Sequence, residues 1–263
     1  MKNLDDQVFI VSGGATLIGQ ECARSLVKNG AKVAIADIDE EGGNAIVKEL
    51  PTESAMFVAT DVTNDQSIDD CLTAAKTAWG RIDGLVNVAC TYLDDGIDST
   101  RETWMAALNV NLIGSAIFAQ KVTPYLQEQG RGAIVNFGSI SGKIAQPGRM
   151  LYSVSKAAIL GMTRNQALAL ADVGIRVNSV SPGWTWSNVI REFSGDDRAK
   201  ADGVAGDFHL IPRVVDASEV GDAVAFLCSD SASGITGTDI AVDGGYTAIA
   251  GEGKVDHVSR LMG

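Results

Sequence analysis

From residue 8 onward, short apolar runs alternate with longer segments of helical spacing. The run at 8–11, Val-Phe-Ile-Val, is unbroken, as expected of a strand covered on both faces. A glycine-rich turn follows, and 19–29 reads as a helix closed by Gly30. The alternation then repeats. Strands are expected at 32–36, 55–59, 85–87, 133–137, 176–180 and 239–242. Helices are expected at 40–50, 65–79, about 101–129, about 151–171 and 218–227. Pro51 stops the second helix, and Ile68, Leu72, Ala75 and Trp79 share one face of the third. Such alternation predicts right-handed βαβ units and an α/β fold: a doubly wound parallel sheet of about seven strands with helices on both faces. No break in composition interrupts it, so 1–263 is expected to be a single domain. The stretch 184–216 is the least regular, rich in Gly, Asp and Ser, and is the candidate substrate loop.

Composition narrows the partners. A chain of 263 residues buries enough surface to fold without staples, and 46% hydrophobic residues is ordinary for a globular protein. A net charge of -12 argues against nucleic acid, which needs a basic face. No apolar run approaches the roughly 20 residues of a membrane helix. The polar start, 1–7, leads directly into a strand, so no signal peptide is expected. Cys22, Cys71, Cys90 and Cys228 are scattered without CxxC spacing and read as reduced thiols of a cytoplasmic protein. His209 and His257 are far apart, so no metal site is expected.

The turn Ser12-Gly13-Gly14-Ala15-Thr16-Leu17-Ile18-Gly19 joins the first strand to the first helix. Glycines there let the backbone approach a pyrophosphate closely, and the helix N-terminus offers free N–H groups to the anion. Asp37 ends the second strand, where a carboxylate can accept hydrogen bonds from the ribose hydroxyls of NAD. The same charge would repel the extra phosphate of NADP.

Tyr152 and Lys156 stand four apart, on one face of a helix. A free tyrosine titrates near 10, too high for a base at neutral pH, and a neighbouring ammonium lowers that value. A drop of about three units corresponds to ~4 kcal/mol. Ser139 follows the fifth strand, at the sheet end where such folds bind ligands, and can hydrogen-bond a substrate oxygen.

Together these motifs resemble the short-chain dehydrogenase/reductase family over about 8–246. The resemblance implies a Rossmann-type fold, a nicotinamide cofactor, and interconversion of a secondary alcohol and a ketone. It implies a catalytic tetrad of Asn111, Ser139, Tyr152 and Lys156. Tyr152 would exchange the proton, Lys156 would hold the nicotinamide ribose and tune the tyrosine, and Asn111 would support a water relay. Asp61 and Val62 would hold the adenine, and Asn87-Val88-Ala89-Cys90 would form the turn after the fourth strand. Pro182 and Gly183 would turn the chain so that Thr185 and Ser187 meet the nicotinamide amide. With Ser12, Gly13, Leu17, Ile18, Gly19 and Asp37 they complete the expected cofactor site. The family also implies a homotetramer or homodimer.

Three positions depart from the family pattern. Leu17 stands where glycine is usual, which removes backbone freedom from the phosphate turn. Cys90 replaces a glycine and is expected to be a small buried residue. Ser187 replaces threonine and keeps the hydroxyl. Two other functions fit parts of the pattern: a nucleotide-binding regulator without turnover, and an acyl-carrier ketoreductase. The complete tetrad weighs against the first, and Asp37 with the acidic balance weighs against the second. The substrate itself is not legible beyond candidate pocket residues Cys90, Tyr92, Gln146, Met150, Trp184, Trp186, Phe193 and Phe208.

Overall fold

The computed structural model describes residues 4–249, 253–254 and 257–262. Among them seven strands form one parallel sheet in the order β3-β2-β1-β4-β5-β6-β7. The strands are β1 (Val8–Ser12), β2 (Lys32–Asp37), β3 (Ala55–Ala59), β4 (Gly84–Asn87), β5 (Gly132–Phe137), β6 (Ile175–Pro182) and β7 (Asp239–Val242). Alternate residues of each central strand enter opposite cores. Phe9, Val11, Val33, Ile35 and Val86 meet α1 (Leu17–Lys28), α2 (Glu40–Glu49) and α9 (Ala217–Cys228) on one side. Ile10, Ala34, Leu85, Ile134 and Val177 meet α3 (Asp65–Trp79), α5 (Ser115–Glu128) and α6 (Met150–Leu170) on the other. That double coverage explains why the strands read as unbroken apolar runs.

The strand order reverses between β1 and β4, both of which pair with neighbours on opposite sides. A crevice at the carboxyl ends of strands on either side of such a point is where open α/β sheets bind ligands. Ser12, Asp37, Asn87, Ser139 and Pro182 all fall at that edge, at or just past the ends of β1, β2, β4, β5 and β6.

Three differences from the sequence pattern have local causes. The first helix begins at Leu17, not at 19, because the Thr16 side chain caps it by accepting from Gly19 N at 3.2 Å. The long helical stretch at 101–129 is three pieces: α4 (Arg101–Leu108), a π-helical turn over Asn109–Gly114, and α5. The segment 184–216 contains α7 (Asn188–Ser194) and α8 (Arg198–Ala205), too short for periodicity to reveal. These pack through Trp184, Trp186, Ile190 and Phe208 on a small satellite core. Salt bridges from Arg198 to Asp202 and Asp216, and from Arg213 to Glu219, fasten the segment to α9. The Arg213 guanidinium holds the Glu219 carboxyl down at about 2.

His209 is fully buried, its Nδ1 2.7 Å from the Arg213 carbonyl oxygen. An acceptor there requires a proton on Nδ1, and burial lowers the imidazole pKa, so the ring is neutral with a bare Nε2. His257 heads α10 (His257–Met262), and its side chain lies outside the described ones. Among the described residues no cluster of His, Cys, Asp or Glu is arranged to hold a metal, and no helix is long and apolar enough to cross a membrane.

Candidate active site

The phosphate turn is shaped by two glycines. Gly13 has φ +69°, and a Cβ there would lie 2.5 Å from Ala89 N. A Cβ on Gly19 would lie 2.2 Å from the Gly13 carbonyl oxygen. The Thr16 hydroxyl donates to that same oxygen at 2.7 Å, closing the turn. Leu17 is the first residue of α1 and is not among the described residues with positive φ. The backbone freedom of glycine is therefore not needed at position 17, and the departure leaves the turn intact. Leu17 and Ile18 instead present half-buried side chains to the cleft below.

Asp37 reaches back to this turn. Its Oδ2 accepts from Ala15 N at 2.9 Å and its Oδ1 from Asp39 N at 3.1 Å. Asp61 folds onto its own loop, accepting from Thr63 N at 2.8 Å, while Val62 packs against Gly114 of the π-helical turn. Ala89 lies under Gly13. A buried polar ladder crosses the sheet behind them. Ser12 donates to Asn87 at 3.5 Å, Asn87 to Asn136 at 3.0 Å, and Asn136 to Thr163 and Gln166 on α6 at 3.1 and 2.9 Å. Asn136 carries this network, and nothing in its strand pattern announces it.

A cleft of about 710 Å³ opens at this edge. Ser139, Tyr152 and Lys156 form its floor, and Pro182, Gly183, Thr185 and Ser187 one wall. Ser139 lies beside the Tyr152 phenol, lowering its pKa, and accepts from Ser141 N at 3.1 Å. Lys156 Nζ lies 5.5 Å from the Tyr152 ring centroid and donates to the Phe137 carbonyl at 2.9 Å. Gly183 sits against Asp243, where a Cβ would meet Cα at 2.7 Å. The Thr185 hydroxyl donates to the Gly183 carbonyl at 3.2 Å, and Ser187 precedes α7 without capping it.

Asn111 is held differently from the other three members of the tetrad. It lies in the π-helical turn, an irregularity common at functional sites. Its side chain accepts from Thr91 N at 2.7 Å, donates to Thr91 O at 3.0 Å and reaches Ser155 Oγ at 3.4 Å. The amide thus fixes the segment after β4 beside α6 and does not line the cleft.

That segment supplies two residues the sequence did not single out for these roles. Asp94 Oδ2 accepts from Tyr152 N at 2.8 Å, giving the first turn of α6 the carboxylate its own N-cap, Arg149, lacks. Tyr92 stacks on Tyr152, centroids 5.1 Å apart and planes 24° from parallel. Neither contact has a spacing signal, because both cross 58 or more residues of chain.

The expectation that Lys156 lowers the Tyr152 pKa is corrected in its net result. Burial is the largest influence and raises it. Lys156, Ser139 and Arg149 pull it down, yet the balance stays above the ordinary value. An i,i+4 lysine is visible in sequence, whereas the desolvation of the phenol is not.

Cys90 is corrected as well: it is half-exposed in the cleft, beside Tyr92 and Tyr152, not buried. The other three thiols are buried, which pushes Cys71 up to about 11, Cys228 to about 12 and Cys22 higher still. Iodoacetamide added to the native protein is expected to modify Cys90 first. Peptide mapping that finds one of the other three alkylated earlier would contradict this arrangement.

The switch-point crevice and the glycine turn define a Rossmann-like α/β protein with a cleft floored by Ser139, Tyr152 and Lys156. Comparison with known proteins makes the class specific. A family model described as enoyl-(acyl carrier protein) reductase matches residues 13–247. The cis-4-hydroxycyclohexanecarboxylate dehydrogenase of Sinomonas cyclohexanicum is 34% identical over 93% of this chain and 98% of its own. The 3-oxoacyl-acyl-carrier-protein reductase FabG of Thermotoga maritima is 35% identical over 92% of this chain and 98% of its own. A solved 7α-hydroxysteroid dehydrogenase, complexed with NADH and 7-oxo glycochenodeoxycholic acid, superposes with a TM-score of 0.86 at 26% identity, covering 92% of this chain and 95% of that one. The chain belongs to the short-chain dehydrogenase/reductase family, an oxidoreductase family that uses a nicotinamide cofactor and acts on CH–OH groups.

Proposed function

We propose that this protein is an NAD-dependent dehydrogenase interconverting a cyclic secondary alcohol and its ketone. The observation that carries the reading is the buried Tyr152 phenol, flanked by Ser139 and Lys156, on the floor of a largely apolar cleft. Two of the relatives named above act, by name, on ring compounds. The glycine cradle fits a pyrophosphate, since side chains at Gly13 or Gly19 would fill the space the backbone needs.

The roles follow from the chain's own chemistry. Gly13, Leu17, Ile18 and Gly19 would present the α1 N-terminus to the pyrophosphate, with Ser12, Asn87 and Ala89 supporting the turn from below. Asp37 would take the adenosine ribose, Asp61 and Val62 the adenine, and Pro182, Gly183, Thr185 and Ser187 the nicotinamide end. The bound cofactor supplies hydride exchange. Ser139 donates to the reacting oxygen and holds it against Tyr152. In ketone reduction Tyr152 gives its proton to that oxygen, and in alcohol oxidation its phenolate takes one. Lys156, tied to the Phe137 carbonyl, favours the phenolate and is free to bind the nicotinamide ribose through its remaining donors. Asn111 steadies the 91–94 segment and supports proton relay from Lys156. We further propose a single domain acting in the cytoplasm as a homotetramer or homodimer.

NADH formation measured across a panel of cyclic secondary alcohols with NAD and with NADP tests the reading. At least a tenfold preference for NAD in kcat/KM is expected, equivalent to about 1.4 kcal/mol. Asp37→Ala should narrow that ratio by removing the charge opposed to the extra phosphate. A wild-type preference for NADP would refute the role of Asp37. A second reading, reduction of an acyl-carrier ketone, is favoured by the likeness to the Thermotoga maritima reductase. It requires NADPH-dependent turnover of an acetoacetyl thioester above that of every cyclic ketone tested.

A further inference from the structure

The chain carries 33 acidic residues against 21 basic ones. An average patch of its surface is therefore acidic, but the cleft is not. Among the described residues, the charged side chains lining it are Arg149, Lys156 and Lys200, with no Asp or Glu. Lys156 is already engaged at the Phe137 carbonyl. Lys200 stands exposed on α8 at the mouth. Arg149 is the unusual one. Its guanidinium lies 5.5 Å from the Tyr152 ring centroid and 5.8 Å from that of Tyr92. No carboxylate among the described residues pairs with it, although a nearby one, Asp94, is turned to the backbone of Tyr152 and Gly96. Half-buried, within cation–π distance of two rings and unpaired among the described residues, the guanidinium keeps its edge donors free.

We propose that Arg149 is a specificity-determining residue that binds a carboxylate on the substrate, so that the alcohol oxidised here is a ring-bearing hydroxy acid. The inference rests on the dehydrogenase reading and names its substrate class. Tyr92 and Tyr152 flank the guanidinium, whose planar fork can meet a carboxylate in bidentate fashion. Leu17, Trp184, Val189 and Phe208 line the space for the hydrocarbon body. Lys200 at the mouth attracts the anion into the cleft of an otherwise acidic protein. Water exclusion by these apolar walls strengthens the pairing beyond that of an exposed ion pair.

The test compares 3- and 4-hydroxycyclohexanecarboxylic acids with their carboxamides, which keep the shape and lose the charge. Wild-type protein is expected to prefer the acid by about 10- to 100-fold in kcat/KM, the range that a charge-assisted hydrogen bond supplies. In Arg149→Gln that ratio should collapse towards one, and Arg149→Lys should restore part of it. The ratio is the readout because Arg149 also lowers the Tyr152 pKa, an effect common to acid and amide. Binding of cyclohexanecarboxylate and cyclohexanecarboxamide, followed by tryptophan fluorescence with and without NAD, separates the two proposals. Selective, Arg149-dependent binding of the carboxylate supports the anion site whether or not the alcohols turn over. Equal binding of acid and amide by wild-type protein, or a preference that survives in a folded Arg149→Gln, overturns it. Loss of turnover with every alcohol, alongside intact carboxylate selectivity, counts against the dehydrogenase reading alone.

Discussion

Tyr152→Phe is expected to lower turnover by about 10²- to 10⁴-fold, the contribution of a positioned acid/base group, while cofactor affinity changes little. The substitution deletes one oxygen and keeps the ring, so the stack with Tyr92 and the contact with Lys156 survive. Ser139 remains to donate a hydrogen bond to the reacting oxygen, but the phenol that would exchange a proton with it is gone. The pH dependence has a defined sign. Because burial raises the Tyr152 pKa, the phenol of the free protein is protonated at neutral pH, the form that ketone reduction requires. Alcohol oxidation requires the phenolate, so its rate should climb as pH rises above neutrality and lose that climb in Tyr152→Phe. Steady-state kinetics in both directions, with cofactor titration by fluorescence, checks both statements. A variant that turns over at a rate near wild type would remove Tyr152 from the chemistry and the proposed mechanism with it.

The parts of this site that are legible in sequence are those fixed by local covalent geometry. A continuous apolar run such as 8–11 has one stable home, between two helical layers, and it accounts for all but the last residue of the strand Val8–Ser12. A glycine turn between that strand and a helix is equally local. Tyr152 and Lys156 share a helix face whatever surrounds them. What escaped the sequence depends on contacts between distant segments. The π-helical turn at Asn109–Gly114 escaped because its residues continue a helical pattern, and only the register shift brings the Asn111 amide to Thr91. Asp94 sits in an irregular segment, and its carboxylate becomes the cap of α6 only once the chain after β4 lies against that helix. The exposure of Cys90 and the upward shift of Tyr152 are outcomes of burial, which no spacing encodes. Leu17 failed in the opposite direction: a family pattern suggested a defect, and the helix simply starts at that residue.

Gly19 offers the sharpest test of the cradle. Gly19→Ala adds a Cβ 2.2 Å from the Gly13 carbonyl oxygen and 2.8 Å from Gly14 Cα. Both are backbone atoms of the turn, so no side chain can swing away to make room. The Gly13 carbonyl is already bonded by the Thr16 hydroxyl, which in turn accepts from Gly19 N. Moving either end therefore opens the whole turn, and overpacking of this kind costs about 1–3 kcal/mol. The α1 N-terminus then no longer points its free N–H groups where the pyrophosphate needs them. A loss of cofactor affinity of at least about tenfold, 1.4 kcal/mol, is expected, together with a lower Tm. Gly161→Ala is the control, since that glycine lies inside α6 with nothing within 4 Å of its Cβ position. Removing a helical glycine there should stabilise the fold by roughly 0.5–1 kcal/mol. If Gly19→Ala bound cofactor and melted like wild type while Gly161→Ala behaved as stated, the close approach of α1 to the turn would not be what shapes the cofactor site.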